Sequence, residues 1–140
     1  MKRNIMRTIS IALILALCIS TLSVTEAARS SDYIISRYAS VSSAGGGRIT
    51  VNYSITATSK MTTIGATKVE IKNSSGTTLR TYKSTDAGYE YMMSSNIAIY
   101  SSSVPYQGIS GNSYYAVVYF KAGNSSGSDT STYTTSLATA

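Results

Sequence analysis

The stretch that decides the fold of this chain is ITVNYSITA, at residues 49–57. Its odd-numbered residues are apolar or aromatic, and its even-numbered residues carry hydroxyl or amide groups. Successive side chains of a β-strand point to opposite faces of a sheet, so this alternation predicts a strand with one buried and one solvated face. The residues predicted to face the core are Ile49, Val51, Tyr53, Ile55 and Ala57.

The same alternation recurs further along the chain. In TKVEIK, at residues 67–72, Val69 and Ile71 are predicted to point inward and Lys68, Glu70 and Lys72 outward. Residues 33–42 and 77–82 are also predicted to be strands, as are 89–93, 97–100 and 130–136. The run from Tyr114 to Phe120 is apolar on both faces, which favours a central position in its sheet. The first and last strands are the expected sheet edges.

Two identical turn sequences, NSSG at residues 73–76 and at 124–127, separate pairs of these predicted strands. Asn forms local side-chain hydrogen bonds and Gly accepts a positive φ, so both segments are predicted to be hairpin turns. No segment after residue 28 has the apolar spacing of a helix. We therefore expect an all-β, antiparallel sandwich of about seven strands, formed by a single domain over residues 28–140.

The N-terminal region has the pattern of a secretory signal peptide. Residues 1–7 carry three positive charges, and an apolar segment from Ile9 to Leu22 follows. This segment is predicted to be a helix too short to span a bilayer, which needs about 20 apolar residues. Small residues at Thr25 and Ala27 predict cleavage after Ala27, with cleavage after Ala28 as the alternative, giving a signal peptide over residues 1–27 and a secreted protein. Contact with the membrane is expected only through the uncleaved signal peptide.

Composition restricts the chemistry of the remaining chain. The sequence contains no histidine, and its single cysteine, Cys18, lies in the predicted signal peptide. Catalysis by Ser-His-Asp or Cys-His groups and metal sites of thiolate or imidazole are therefore excluded, and no cofactor is expected. From residue 28 onward nine basic residues face five acidic ones, a net charge of +4. The bases form no run, so nucleic acid is not a predicted partner.

Five carboxylates remain as possible catalytic groups, at Asp32, Glu70, Asp86, Glu90 and Asp129. Glycosidases need two such acids close together. Glu90 is the one with aromatic neighbours in sequence, while the others lie on a solvated strand face, in turns or near the predicted new N-terminus. We expect the protein not to be an enzyme, with a carboxylate-dependent hydrolase as an alternative.

Tyrosine is the most distinctive residue of the chain. All 12 tyrosines lie beyond the predicted signal peptide, with one phenylalanine and no tryptophan in the sequence. Strand alternation predicts an outer row of Tyr115, Val117 and Tyr119, with lysines on neighbouring strands of that face. Tyrosine offers a rigid apolar ring with a polar tip, suited to sugar rings or an anionic polymer. The predicted ligand face consists of Tyr115, Tyr119, Lys68 and Lys72, joined by Arg80 and Tyr82 if Leu79 points inward. The alternative is that these tyrosines only pair across strands.

A family resemblance is carried by GISGNSYYAVVYFKA at residues 108–122, followed by GNSSG at 123–127. This segment resembles the F strand and F–G turn of fibronectin type III and related immunoglobulin-like domains. The resemblance implies an immunoglobulin-like sandwich in which Tyr114 is the tyrosine corner, its hydroxyl bonded to nearby backbone. Ser110 stands where these domains often have proline, and their common tryptophan is absent. In composition the chain is similar to small secreted proteins of unknown function from Gram-positive anaerobes.

These observations predict a secreted, non-catalytic module that binds a ligand or has a structural role in the extracellular space. The expected partners are a cell-wall or host glycan, or another protein. A carbohydrate-binding module acting through an exposed tyrosine face is the main alternative, and the carboxylate-dependent hydrolase is a further one.

Overall fold

The computed structural model describes residues 32–140, so the predicted signal peptide over residues 1–27, its helix and Cys18 lie outside the described residues. Nine strands and one single 3-10 turn, Glu90–Met92, make up the regular structure of the described part. The strands are β1 (Ile34–Gly45), β2 (Arg48–Met61), β3 (Thr63–Asn73), β4 (Thr78–Lys83), β5 (Met93–Ser94), β6 (Ile97–Gln107), β7 (Ser113–Asn124), β8 (Gly127–Thr134) and β9 (Ala138–Thr139). Within residues 32–140, no helix has the length and apolarity needed to span a membrane.

The strands form two antiparallel sheets. The smaller sheet has the order β1-β2-β6. The larger sheet has the order β4-β3-β7-β8, with β5 paired to β3 and β9 paired to β7. The prediction of an all-β antiparallel sandwich is confirmed, and the seven strands of six or more residues match the number expected.

The core lies between the inner faces of the two sheets. Alternate residues of β2 are buried as predicted, from Ile49 to Ala57, and Val69 and Ile71 of β3 are fully buried opposite them. The rings of Tyr53, from the smaller sheet, and Phe120, from the larger, meet edge to face with centroids 6.1 Å apart. Apolar burial of this kind contributes about 25 cal/mol for each Å² removed from water, so the core is the main source of stability.

Strand positions in the sheets also agree with the sequence pattern. β7 is central in the larger sheet, between β3 and β8, as its two-sided apolarity predicts. The first strand, β1, and the last long strand, β8, lie at sheet edges as expected. Threonines on β8 leave its outer face polar and exposed, which is compatible with an edge in contact with water.

Both predicted hairpin turns are present. Asn73 Oδ1 accepts hydrogen bonds from the Thr77 N–H and the Ser75 hydroxyl, each at 2.8 Å. Gly76 has a φ of +89°, which disfavours any residue with a Cβ. At the second turn Asn124 Oδ1 accepts from the Ser126 N–H at 2.8 Å. The two turns join β3 to β4 and β7 to β8.

Several sequence-based boundaries are wrong, and the strand predicted over 130–136 is β8, which spans Gly127–Thr134. Residues 89–93 form the 3-10 turn followed by β5 instead of one strand, and the strand predicted over 97–100 continues to Gln107. It runs through Pro105, which pairs with Thr50. Because β6 is an edge strand, the missing N–H of Pro105 costs no ladder hydrogen bond. The Pro105 carbonyl points away from β2 and accepts the Tyr82 hydroxyl at 3.0 Å.

Tyr114 bonds to backbone in the manner that the resemblance implies. Its hydroxyl oxygen accepts the N–H of Ile109 at 2.8 Å, five residues earlier in the connection between β6 and β7. The ring is buried and meets Tyr106 edge to face, with centroids 5.7 Å apart. This connection crosses from the smaller sheet to the larger one, so the bond fixes the crossover against the core.

Candidate functional site

Strand register brings four of the six predicted ligand-face residues together. On the outer face of the larger sheet, Lys68 of β3 lies opposite Tyr119 of β7, and Lys72 lies opposite Tyr115. Glu70 lies between the two lysines, opposite Val117. We define the lysine–tyrosine face as Lys68, Glu70, Lys72, Tyr115, Val117, Tyr119 and Lys121.

Tyr82 and Arg80 lie on the other side of this sheet, so their predicted place on the outer face is wrong. Tyr82 pairs with Val69 and Arg80 with Ile71, and directly opposed residues share a face. Tyr82 is 6% exposed and its ring lies 5.0 Å from that of Tyr89. The Arg80 guanidinium lies 5.4 Å from the Tyr82 ring centroid.

An irregularity in β4 explains this reversal. The register shifts between the pairs Ile71–Arg80 and Lys72–Thr78, which leaves Leu79 without a partner in the ladder. Leu79 is 42% exposed, so the condition for placing Arg80 and Tyr82 outside is not met. Thr78 takes the outer position and accepts a hydrogen bond from Lys72 Nζ at 2.6 Å.

Glu70 is the electrostatic centre of the lysine–tyrosine face. Its Oε1 accepts from Lys68 Nζ at 2.7 Å, and its Oε2 lies 3.6 Å from Lys72 Nζ. The hydrogen bond from Lys68 lowers the pKa of Glu70, and the same bond raises the pKa of Lys68. The ion pair is partly shielded from water, with side-chain exposures of 32% for Lys68 and 16% for Glu70.

Tyr119 is held by the same cluster. Lys68 Nζ lies 3.8 Å from the centroid of its ring, a cation–π contact. The Tyr119 hydroxyl donates to Glu70 Oε2 at 3.3 Å. These contacts fix the ring in place before any ligand arrives, which lowers the entropy cost of binding. They also support the alternative prediction that tyrosines of this face have a structural role.

Further basic and hydroxyl groups surround this cluster. Lys83 of β4 lies opposite Lys68 on the outer face, and Lys121 follows Tyr119 on β7. On β8, Thr132 and Thr134 are exposed opposite Tyr119 and Val117. Four of the eight basic residues within 32–140 therefore lie on this side of the sheet. Among the outward residues of β3, β4, β7 and β8 that pair in register, Glu70 is the one acid. The surface is basic and hydroxyl-rich.

Three of the other four carboxylates accept hydrogen bonds from backbone N–H groups. Asp86 accepts from the Lys83 N–H at 3.1 Å, and Glu90 from the Gly88 N–H at 2.9 Å. Asp129 accepts from the Tyr33 N–H at 2.8 Å, joining the edges of the two sheets. Within the described residues, no three acidic or metal-ligating side chains cluster in a way that would hold a metal ion.

Burial changes the acidity of several tyrosines away from this face. Removal from water raises the pKa of Tyr53, Tyr82 and Tyr91 above the ordinary value for phenols. Tyr53 is the most buried of the three, at 3% exposure. These phenols stay protonated at neutral pH, and the hydroxyls of Tyr53 and Tyr82 donate hydrogen bonds to the backbone carbonyls of Met92 and Pro105.

A cleft of about 690 Å³ lies at one end of the sandwich, where the β3–β4 turn meets the β6–β7 connection. Leu79, Ile109 and Leu137 line it and are 42%, 68% and 56% exposed. Sequence reasoning missed this cleft because its walls come from three distant loops. The sequence signal that could have indicated the cleft is the presence of these apolar residues next to predicted turns.

Comparison of the chain with protein-family models, with curated proteins and with solved structures gives no match.

Proposed function

We propose that this protein is a secreted, non-catalytic module that binds an anionic glycan through its lysine–tyrosine face. The observation that carries the proposal is the concentration of lysines around half-buried tyrosines on one sheet face. Lysines attract carboxylated or sulfated sugars, and tyrosine rings offer an apolar surface for the sugar ring. Secretion rests on the signal peptide predicted over residues 1–27.

We further propose a fibronectin type III-like topology. In immunoglobulin-like domains lettered by chain order, strands A, B and E share one sheet and C, F and G share the other. Here β1, β2 and β6 occupy the first sheet, while β3, β7 and β8 occupy the second, with β4 beside β3. The bond between the Tyr114 hydroxyl, at the start of the F-like strand β7, and the preceding backbone supports the same assignment.

The non-catalytic part of the proposal is supported by how the carboxylates are used. Glu70 is neutralised by two lysines, and its lowered pKa removes it from general acid chemistry at neutral pH. Glu90 was the strongest catalytic candidate in sequence, and its side chain binds the backbone of its own turn. Glu90 is exposed to solvent, so it lacks the buried apolar setting of a catalytic acid.

Binding to heparin and to oligogalacturonate, with neutral dextran as a blank, tests this function. Replacing Lys68 and Lys72 with Gln in one variant removes two charges from the face and should weaken binding about tenfold. The matched control replaces Arg48 and Lys60, which lie on β2 of the other sheet, and alters net charge equally. We expect the control to bind like the wild type in solutions of equal salt concentration.

Equal losses in both variants would mean that only net charge matters, and would contradict the proposal. Wild-type protein that binds neither anionic polymer would contradict it as well. Circular dichroism checks that both variants retain the sandwich. We expect retention because all four replaced side chains lie outside the core.

A further inference from the structure

The outer face of the smaller sheet has a different chemistry from that of the larger one. Register aligns twelve of its outward side chains in four rows across β1, β2 and β6, and Arg48 and Gln107 follow in a further row at the end of the sheet. We define the hydroxyl face as these twelve residues. They are Ser36, Thr56 and Ile99; Tyr38, Ser54 and Ser101; Ser40, Asn52 and Ser103; and Ser42, Thr50 and Pro105. None of the twelve carries a charge, and eight of them are Ser or Thr.

A shallow depression of about 400 Å³ lies in the middle of the hydroxyl face. Its floor includes Ser54, Ser101 and Ser103, and Asn52 and Tyr38 also line it. This volume falls within the range of small-molecule sites in proteins, about 300–1,000 Å³. Small side chains at the floor leave room above the sheet beside the much larger ring of Tyr38.

Tyr38 is a fixed but accessible aromatic wall. Its side chain is 56% exposed, among the largest exposures of any tyrosine within residues 32–140. Tyr133 from the edge of the larger sheet meets the ring at an interplanar angle of 62°, with centroids 5.8 Å apart. An aromatic contact of this geometry contributes about 0.5–1.5 kcal/mol and holds the Tyr38 ring in place. Lys68 covers the Tyr119 ring on the opposite face, whereas no lysine belongs to the hydroxyl face.

These groups match the chemistry of an uncharged sugar. Serine hydroxyls both donate and accept hydrogen bonds, as do sugar hydroxyls, and the Asn52 amide can do both as well. The Tyr38 ring offers an apolar surface for the C–H groups of a pyranose. We propose that the depression beside Tyr38 binds a neutral oligosaccharide, independently of the lysine–tyrosine face.

The composition of the face favours a glycan over a second protein chain. Serine is depleted in protein–protein interfaces, whose centres are rich in aromatic and apolar side chains. Here one aromatic residue stands among eight hydroxyl residues, and Ile99 and Pro105 lie in the first and last of the four rows. The twelve residues also lack a charge that would attract an anionic polymer, so an uncharged ligand is the best complement to them.

The test is an NMR titration of the ¹⁵N-labelled full chain with neutral oligomers of glucose, mannose, galactose and N-acetylglucosamine. With at least one of them we expect amide shifts confined to residues 36–42, 50–56 and 99–105. Because no charge is involved, the dissociation constant should change less than twofold between low and physiological salt. The Lys68 and Lys72 double variant should bind the same oligomer as the wild type does.

Variants then locate the site. Tyr38→Ala should weaken binding at least tenfold, while Tyr115→Ala, a tyrosine of the opposite face, should leave it unchanged. Ser101→Arg should also abolish binding, because it fills the floor of the depression. Shifts outside the hydroxyl face, an unaffected Tyr38→Ala, or no shift with any neutral oligomer at millimolar concentration would overturn the proposal. A dimer that light scattering detects and that Ser101→Arg dissociates would overturn it too.

Discussion

The outer faces of the two sheets are built by the same rule and differ in chemistry. Both consist of the residues that alternate with core positions, on β3 and β7 in one case and on β1, β2 and β6 in the other. The lysine–tyrosine face carries long, charged side chains that contact one another. The hydroxyl face carries short neutral ones around a single exposed ring. Burial in the core therefore requires apolar side chains at the inner positions. The outer positions are not constrained in this way, so the two outer faces can differ in chemistry.

The two faces also differ in how fully their groups are already used. Tyr119 has both a cation on its ring and a carboxylate on its hydroxyl, so a ligand must compete with or extend an existing network. Tyr38 has an edge-to-face contact with Tyr133 and more than half of its surface in water. A preformed network favours stability, whereas an accessible ring favours binding by stacking.

The largest expected effect tests whether both faces depend on one core. Phe120→Ala removes a ring that is 1% exposed and contacts Tyr53 of the other sheet. We expect the free energy of unfolding to fall by about 3–5 kcal/mol, because a cavity is left between the sheets. Urea denaturation followed by circular dichroism measures this loss. The control Ile99→Ala, at a residue 65% exposed, should change stability by less than about 0.5 kcal/mol.

A pair of tyrosine variants sharpens the comparison directly. Tyr119→Ala should lower the free energy of unfolding by about 2 kcal/mol, since it removes a cation–π contact and a hydrogen bond to a carboxylate. Tyr38→Ala should cost less than about 1 kcal/mol, because its ring has one aromatic contact at a solvent-exposed position. Equal losses of unfolding free energy in the two variants would contradict the claim that the tyrosine of the lysine–tyrosine face is held by more contacts than that of the hydroxyl face. Thermal and urea denaturation supply the two measurements.

The smallest expected effect is a pH dependence specific to the lysine–tyrosine face. The lowered pKa of Glu70 means that its ionised form stabilises the folded state. This contribution is complete above the ordinary carboxyl pKa of about 4.3 and is lost as pH falls through the lower folded value. Glu70→Gln should therefore be less stable than the wild type at neutral pH, by about 1 kcal/mol or less.

At an acidic pH below the lowered pKa of Glu70, the difference between wild type and Glu70→Gln should disappear, because Glu70 is then protonated in both folded and unfolded states. Urea denaturation at the two pH values gives the comparison. A difference that persists or grows in acid would show that Glu70 acts through packing instead of charge.

Local patterns in the sequence predicted most of the framework. The alternation at residues 49–57 and 67–72 gave the correct buried residues, since each strand has one face in the core. The two NSSG segments were predictable because turn geometry depends on a few neighbouring residues. The lysines and outer tyrosines were placed correctly for the same reason, as β3 and β7 alternate regularly over these residues.

What the sequence did not reveal depends on contacts between distant segments. Leu79 and Tyr82 are three residues apart, so regular alternation cannot bury both, and local pattern alone does not choose between them. Tyr82 is the buried residue of the two, because its ring contacts Tyr89 and its hydroxyl donates to the Pro105 carbonyl. The depression beside Tyr38 was missed because it forms only when β1 and β6 flank β2.

The most direct test of the proposed function is an amide NMR titration of the wild-type protein with a heparin oligosaccharide. We expect salt-sensitive shifts confined to residues 68–72 and 115–121, with residues 36–42 and 99–105 unchanged. Shifts centred on the hydroxyl face, or none at millimolar ligand in low salt, would contradict an anionic-glycan function for the lysine–tyrosine face.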